Sequence, residues 1–481
     1  MRIGQKAGVV FVSKLFASVL GFITTIYFAR VLGAEIIGFY TVTMSLVAWL
    51  KLGGNIGVST AVTKRISEGR QQSEFFSAGW LVVSLFAIIF STTIILFRQV
   101  VNNYVGVEVW FFVVLLLLSG LFSSYIQSVL TGETKVHISG LLSPTNLIIS
   151  SISQLTLVYF DFGLEGMIIG YLVGEIASGL IGSGFVSSSL TTPGRKHISS
   201  LFEYAKFSWL GSVKNRAYND TDILVLGALV PPSLVGVYGV AWTIARFLEL
   251  FGMAVRNTLF PEISGLDPEE DENKIASYLN DSFAFIGLMA IPGLFGGIVL
   301  GDYIMSIYGD EFVRGSSVLG ILILATLLYN YQQQMMGAMN ALNRPDITFK
   351  INAILILTNL IVNTVLVYFF GWIGAAVATA FTMFVGTFIS YIKLRQMVDF
   401  KTPIGEIIRQ IIAALIMSIA VYGAKTAVQI NEVESAESIV ILLSLVFLGG
   451  IIYFVLIYFS SAKFRRVLIR NLPVNVVQYL E

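Results

Sequence analysis

Apolar residues form long runs along the whole chain, and short polar stretches, often with Gly or Pro, separate these runs. Runs of about eighteen residues or more are long enough for a helix to cross a hydrocarbon core of about 30 Å. Inside a membrane a segment has to satisfy its own backbone hydrogen bonds, so each run predicts a helix. We predict fourteen helices, at residues 7–29, 36–60, 77–97, 109–130, 141–160, 164–187, 204–230, 234–257, 282–300, 315–340, 347–369, 372–394, 407–425 and 438–460.

The composition agrees with a protein that crosses the membrane many times. The chain has 481 residues, of which 56% are hydrophobic and 12% are charged, whereas soluble domains are about 25% charged. The longest polar connection, at residues 261–281, is too short for a separate domain, so function has to reside among the helices. The net charge of +1 does not indicate a nucleic-acid partner. We expect the first helix to be retained, because no small-residue cleavage site follows it.

The distribution of Lys and Arg predicts the orientation, because short loops rich in these residues stay in the cytoplasm. With a cytoplasmic N-terminus, the predicted cytoplasmic segments contain 21 of the 30 Lys and Arg residues, and the outer ends contain four. This bias predicts a multi-pass plasma-membrane protein with both termini in the cytoplasm. Five cations remain, and they lie within predicted spans.

Two sequence motifs occur twice and divide most of the chain into similar halves. "RVLGAEIIGFYTVTMSL" (30–46) is echoed by "LVLGALVPPSLVGVYGVAWTI" (224–244), and "LVYFDFGLEGMIIGYLVGE" (157–175) by "LVYFFGWIGAAVATAFTMF" (366–384). Repeats of six helices have the same orientation in the membrane, and two such bundles usually enclose a cavity. The predicted fold is therefore all-α, with pseudo-symmetric bundles. The predicted domains are two six-helix bundles at 1–190 and 204–396, a cytoplasmic linker at 191–203, and two additional helices with a cytoplasmic tail at 397–481.

The sequence lacks the motifs of common enzyme classes. It has no P-loop, no nucleophile elbow and no HExxH zinc motif, and the absence of cysteine excludes thiolate chemistry. His137 and His197 are predicted in solvated loops, which disfavours a histidine base or a metal ligand. A membrane-embedded glycan polymerase or ligase would need a large outer loop, and the chain has none. We therefore predict a transporter that is not an enzyme and that uses no cofactor or metal.

Five cations at membrane depth are the candidates for substrate binding. A charge at the centre of a spanning helix costs roughly 2.5–3.5 kcal/mol, so we expect these side chains to face an interior. They lie on the first two helices of each predicted bundle and are expected to line one cavity. Arg matches phosphate oxygens with paired N–H groups and Lys supplies a point charge, which favours an anionic amphiphile. The predicted substrate-binding residues are Lys14, Lys51, Lys214, Arg216 and Arg246.

Carboxylates close to these cations allow two interpretations. They either titrate and couple transport to H⁺ or Na⁺ entry, or they pair with the cations and hold the bundles together. Arg216 and Asp220 are four residues apart on one helix face, and Arg246 can reach a carboxylate on its own helix or on the preceding one. The sequence leaves open whether Arg216 binds a phosphate or only Asp220. The candidates for ion coupling are Asp220, Asp222, Glu175 and Glu249.

Three stretches resemble one family of membrane transporters. "ARVLGAEIIGFYTVTMSL" (29–46) is similar to the motif after the first helix of the polysaccharide transporter family, "DILVLGALVPPSLVGVYGVAW" (222–242) to the opening of its second half, and "LFPEIS" (259–264) to its motif after helix 8. That family belongs to the superfamily of multidrug, oligosaccharidyl-lipid and polysaccharide exporters. Fourteen helices fit its polysaccharide branch better than the twelve-helix multidrug branch.

The resemblance implies a flippase for surface polysaccharide or glycan assembly. Such a protein moves polyprenyl-pyrophosphate-linked oligosaccharides from the inner to the outer leaflet by alternating access. Its other expected partners are membrane lipids and H⁺ or Na⁺, with no nucleic acid. The alternative is a cation-coupled multidrug exporter on the same scaffold, which would favour acidic and aromatic cavities. The five cations at membrane depth favour the flippase.

Overall fold

Helices form every regular element in the described part of the chain. This computed structural model describes residues 3–55, 57–267, 270–428 and 436–471, with the side chains of 3–18, 207–212, 214, 215, 219, 436–438 and 467–471 outside the description. The first eight helices are α1 (Ile3–Asn55), α2 (Val58–Ser67), α3 (Gln72–Leu96), α4 (Arg98–Val105), α5 (Trp110–Gly132), α6 (Val136–Tyr159), α7 (Gly163–Ser183) and α8 (Arg195–Leu229). They are followed by α9 (Pro232–Phe247), α10 (Glu249–Ser264), α11 (Glu272–Ser306), a 3₁₀ helix (Asp310–Gly315), α12 (Ser316–Ala341), α13 (Pro345–Arg395), α14 (Ile404–Val428), α15 (Ala436–Ser460) and α16 (Ala462–Asn471).

The predicted segments all fall on helices, but some are not separated from one another as expected. α1 and α13 each cover two predicted segments, with non-helical breaks at Gly33 (φ 78°) and Gly371 (φ 59°). Within the described ranges, eleven helical stretches are long and apolar enough to cross a membrane, and α8 is not among them. The all-α membrane fold is confirmed, whereas the number of fourteen crossings stays a prediction.

Glycines with a left-handed backbone form the turn that occurs in both copies of the second motif. Gly163 (φ 50°) begins α7 and Gly371 (φ 59°) breaks α13, each shortly after the sequence "LVYF". A Cβ atom would strain the backbone at such φ values. Three residues later, Gly166 and Gly374 lie against the preceding helical segment, so closely that a side chain would collide with it. Corresponding glycines thus have the same structural roles, as an internal repeat predicts.

The chain divides into two compact units, unit 1 (Met1–Gly239) and unit 2 (Val240–Glu481). In unit 1, α7 packs along α5 and α6, and α8 packs against α1, α2 and α3. In unit 2, α12 packs against α11 and α13, and α14 packs against α11. The division falls within α9, because α8 contacts helices of the first half of the chain. The domain boundaries that we deduced from the repeat stay a prediction.

The two copies of the first motif pack directly on each other within unit 1. A Cβ atom on Gly38 would overlap the backbone carbonyl of Pro232, and a Cβ atom on Gly236 would overlap that of Ala34. Small residues at a crossing allow two helices to approach until their backbones touch. The glycine in each Gly-x-Tyr sequence is therefore explained by the contact between α1 and α9.

Glu133, after the end of α5, fixes the segment that joins α7 to α8. Its carboxylate accepts hydrogen bonds from the backbone N–H groups of Ser187 (3.0 Å) and Ser188 (2.8 Å) and from Lys135 Nζ (2.7 Å). Burial raises the pKa of the Glu133 carboxyl, but these hydrogen bonds outweigh burial and hold the pKa below its ordinary value. The contribution of this contact to stability is therefore present at neutral pH and is lost as pH falls through the lowered pKa.

His197 is buried, so the prediction that it lies in a solvated loop is wrong. α8 already begins at Arg195, and only 4% of His197 is exposed. One ring nitrogen accepts a hydrogen bond from the Gly194 N–H at 3.0 Å, and the other lies 3.0 Å from Gln71 Oε1. The imidazole accepts the hydrogen bond of a backbone N–H group at the start of α8, and it connects that end of the helix to the start of α3.

We expect Gly38→Ala to destabilise the protein by about 1–3 kcal/mol, the usual cost of overpacking. The added methyl group meets a backbone carbonyl, which cannot move aside unless α9 shifts. The melting temperature of the purified protein in detergent measures the effect. Gly450→Ala in α15 is the control, because nothing lies within 4 Å of its added methyl group. Equal melting temperatures for the two variants would contradict the contact.

Candidate functional site

Lys51 of α1 and Glu175 of α7 form an ion pair in unit 1. Lys51 Nζ lies 3.2 Å from Glu175 Oε1, and the Tyr171 hydroxyl donates a hydrogen bond to the same oxygen at 3.1 Å. The Glu175 side chain is 7% exposed and that of Lys51 is 24% exposed. A buried carboxylate is tolerated here because two donors reach it, and the more accessible partner is the cation.

Gly120 of α5 makes room for this pair. The end of the Lys51 side chain lies on the Gly120 backbone, where any side chain would collide with it. This role of Gly120 was not predictable from the sequence, because a glycine in an apolar helix is equally explained by helix packing. The position of Lys51 therefore depends on three helices, α1, α5 and α7.

Arg216 and Asp220 form a second ion pair, on α8. Arg216 Nη1 donates to Asp220 Oδ2 at 2.8 Å, and the Ser45 hydroxyl of α1 donates to the other carboxylate oxygen at 3.3 Å. The side chain of Arg216 is 37% exposed, whereas that of Asp220 is 16% exposed. The spacing of four residues predicted this pair, and the structure adds that Asp220 is also held by α1.

Asp222 is almost completely buried, with 1% of its surface exposed. It accepts a hydrogen bond of 2.6 Å from the Tyr238 hydroxyl of α9. Tyr238 is the tyrosine of the second Gly-x-Tyr sequence. In the first copy, the corresponding Tyr40 hydroxyl accepts a hydrogen bond from Gln154 Nε2 at 3.1 Å. Both motif tyrosines therefore connect a helix crossing to a buried polar side chain.

The two ion pairs of unit 1 belong to one polar region. The Tyr171 hydroxyl contacts Glu175, and the charge of Arg216 also acts on it. We call Lys51, Glu175, Tyr171, Arg216 and Asp220 the unit 1 charge cluster. It combines two cations with two carboxylates, and in both pairs the carboxylate is the better enclosed partner.

Unit 2 contains a similar group of side chains. Arg246 Nε lies 3.9 Å from Glu249 Oε1, and the Arg246 guanidinium lies 5.6 Å from the centre of the Trp242 ring. The charges of Arg246, Glu249 and Arg256 all act on Tyr329 of α12. Arg256 lies within the apolar stretch Pro232–Ser264.

The described site residues thus belong to one group in unit 1 and one group in unit 2. Lys51, Arg216 and Arg246 each have a carboxylate within 4 Å. The side chains of Lys14 and Lys214 lie outside the described residues. The prediction that the five cations line one cavity stays a prediction, as does the use of the carboxylates for ion coupling.

The fold, with eleven long apolar helical stretches in the described residues, is that of a polytopic membrane protein. The fold is similar to that of lipid II flippase MurJ in an inward closed conformation, with a TM-score of 0.80, 18% sequence identity, and coverage of 96% of this chain and 99% of that chain. The chain belongs to the family of polysaccharide biosynthesis proteins, whose sequence profile matches residues 27–317. This confirms the resemblance deduced from the sequence.

Two relatives from Haloferax volcanii cover most of the chain. The probable flippase AglR is 30% identical over 88% of this chain and 89% of the relative. The probable low-salt glycan biosynthesis flippase Agl15 is 30% identical over 94% of this chain and 95% of the relative. The chain is a membrane transporter of the flippase type.

We expect Tyr238→Phe to destabilise the protein by about 1–3 kcal/mol, because the buried carboxylate of Asp222 loses a hydrogen-bond donor. Thermal unfolding in detergent at neutral pH measures this loss. Tyr159→Phe removes a hydroxyl from a side chain that is 74% exposed and should leave the melting temperature unchanged. If both variants unfold at the same temperature as the unmodified protein, the hydrogen bond does not contribute to stability.

Proposed function

We propose that the protein moves lipid-linked oligosaccharides from the inner to the outer leaflet of the plasma membrane by alternating access. A polyprenyl pyrophosphate is the proposed lipid carrier, and the translocated glycan serves surface polysaccharide or glycan assembly. Two flippase relatives of nearly full length support this substrate class, and one of them is named for glycan biosynthesis. The bias of Lys and Arg supports a cytoplasmic position for both termini.

The observation that carries the proposal is the accessible side of Arg216. A guanidinium has five N–H donors, and Arg216 donates to Asp220 through Nη1 while 37% of its side chain stays exposed. A phosphate group can therefore approach Arg216 from its open side and form paired hydrogen bonds. Lys51, 24% exposed beside Glu175, supplies a second positive charge in the same cluster.

The ion pairs support a mechanism of partner exchange. Without substrate, each carboxylate neutralises its cation and so reduces the cost of a charge at membrane depth. When a pyrophosphate binds, its oxygens replace the carboxylate as partner of the cation. When the carboxylate pairs with the cation again, it favours release of the substrate. Glu175 and Asp220 are then competing counter-ions, and the same role in unit 2 falls to Glu249 beside Arg246.

We expect Arg216→Gln to reduce flipping by about 10- to 100-fold, the equivalent of a lost charge-assisted hydrogen bond of about 1.5–3 kcal/mol. Flipping is measured in proteoliposomes, with a fluorescent polyprenyl-pyrophosphate oligosaccharide and a membrane-impermeant quencher. Glutamine keeps a polar side chain without the positive charge, so folding should survive.

A charge reversal separates binding from a purely structural role. Arg216→Asp combined with Asp220→Arg keeps an ion pair but moves the cation by one helical turn. If the pair only holds α8 in place, this double variant restores flipping, which would contradict the proposal. Arg344→Gln is the matched control, because Arg344 also pairs with an aspartate, Asp346 at 3.0 Å, but is exposed at the start of α13.

We also propose that H⁺ or Na⁺ entry drives transport, with Asp222 as the coupling carboxylate. Asp222 is the most deeply buried of the four candidates, with 1% of its surface exposed, and it accepts a hydrogen bond from the Tyr238 hydroxyl. Intramembrane carboxylates often mark ion pathways. The same carboxylate would suit a cation-coupled multidrug exporter, which is the second candidate function.

We expect Asp222→Asn to remove the response of flipping to an imposed pH or Na⁺ gradient. The unmodified protein should flip several times faster with the gradient than without it, and the variant should flip at one rate in both conditions. Asp346→Asn, at an exposed position, is the control. A gradient response that survives in Asp222→Asn would contradict the role of this residue. Efflux of a cationic dye without flipping of the glycolipid would favour the exporter.

A further inference from the structure

An apolar cavity of about 290 Å³ lies within unit 2, among α11, α12, α13 and α14. Leu328 and Phe283 form part of its inner wall, and Phe384 and Phe388 of α13 line its outer side. An apolar cavity offers water too few hydrogen-bond partners, so such cavities stay dry and accept apolar molecules. A hydrocarbon chain is the matching occupant.

The outer side of this cavity faces the membrane. Phe384 and Phe388 are each 58% exposed, and they belong to a stripe of exposed apolar residues at helical spacing along α13. A surface that faces an aqueous cavity would carry polar side chains. The remaining members of the stripe are Val377, Phe381 and Ile392. A lipid can therefore enter the cavity sideways from the bilayer.

Polar and positively charged residues lie beside one end of the cavity. Tyr391 and Thr402 line this end, and their hydroxyl oxygens lie 3.0 Å apart. Arg395 Nη1 donates to the Tyr391 hydroxyl at 3.3 Å, and Lys401 immediately precedes Thr402. This end lies in the connection between α13 and α14, which the charge distribution predicts to be cytoplasmic. The same prediction places this end near the depth of the lipid phosphates.

Neighbouring charges leave these two cations without an acidic partner. Arg409 pairs with Glu406 at 2.5 Å, and Lys463 pairs with Asp281 at 2.6 Å. In the part of the chain that the structure describes, no carboxylate lies within 4.0 Å of the charged group of Arg395 or Lys401. The two cations have positive charge available for an anion.

We propose that the cavity binds one chain of an anionic membrane lipid, and that Arg395 and Lys401 bind its phosphate. Each cation near a membrane surface contributes about 1 kcal/mol of attraction to an anionic lipid. A zwitterionic lipid could place a chain in the cavity but would lack this attraction. A free phosphate would be attracted by the cations but has no chain to fill the cavity. The bound lipid would connect α13, the end of the second repeat, to α14. The proposal does not depend on the substrate of transport.

Lipid binding to the full-length protein in detergent tests this proposal. Phosphatidylglycerol should raise the melting temperature, and native mass spectrometry should detect one retained molecule. Arg395→Gln with Lys401→Gln should weaken phosphatidylglycerol binding by about tenfold or more, the effect of two surface cations, to the level of phosphatidylcholine. Leu328→Phe, which fills the cavity, should also weaken binding while both cations remain.

Matched variants and probes give results that would overturn the proposal. Lys393→Gln with Arg409→Gln removes two charges from α13 and α14, at residues that do not contact Tyr391 or adjoin Thr402, and should bind phosphatidylglycerol normally. An equal loss in this control would mean that only overall charge matters. Stabilisation by inorganic phosphate alone would indicate an anion site without a chain. If Leu328→Phe does not fold, the Arg395 and Lys401 variant decides.

Discussion

The pairing of charges among the helices is the constraint on which the rest of this structure depends. A lone cation at the centre of a spanning helix is unfavourable by roughly 2.5–3.5 kcal/mol, and each described cation of the predicted site has a carboxylate within 4 Å. The two members of a pair are enclosed to different degrees. Glu175 and Asp220 receive additional hydrogen bonds from Tyr171 and Ser45, and Lys51 and Arg216 keep accessible surface. In each pair the cation is therefore the accessible group, although the pair as a whole is neutral.

Backbone contact between helices determines where some of these charges lie. Gly38 and Gly236 bring α1 and the start of α9 together until a side chain would no longer fit. Two residues beyond Gly236, the Tyr238 hydroxyl reaches Asp222. A sequence of packing steps therefore connects the repeated motif to a buried carboxylate. The same crossing holds the first turns of α9 in unit 1. The boundary between the two units therefore falls inside this helix.

The sequence predicted those features that depend on residues close to one another along the chain. Helix positions follow from runs of apolar residues, and the Arg216–Asp220 pair follows from a spacing of four residues. Features that depend on packing were not predictable. Glu175 pairs with a residue 124 positions away, and Glu133 binds a loop two helices further along the chain. Periodicity describes one helix at a time, whereas these contacts depend on how several helices pack.

The similarity of the two charged groups bears on how such a site releases its substrate. Tyr171 in unit 1 and Tyr329 in unit 2 each lie within the field of a glutamate and at least one arginine. Arg216 and Arg246 are almost equally exposed, at 37% and 36%, although they belong to different units. A group of unpaired cations would bind a pyrophosphate tightly and release it slowly. Transport requires binding that is strong enough for entry and weak enough for exit. A carboxylate beside each cation lowers the affinity for the anion, because it competes for the same donors. In the proposed mechanism, moderate affinity for the pyrophosphate therefore follows from the ion pairs.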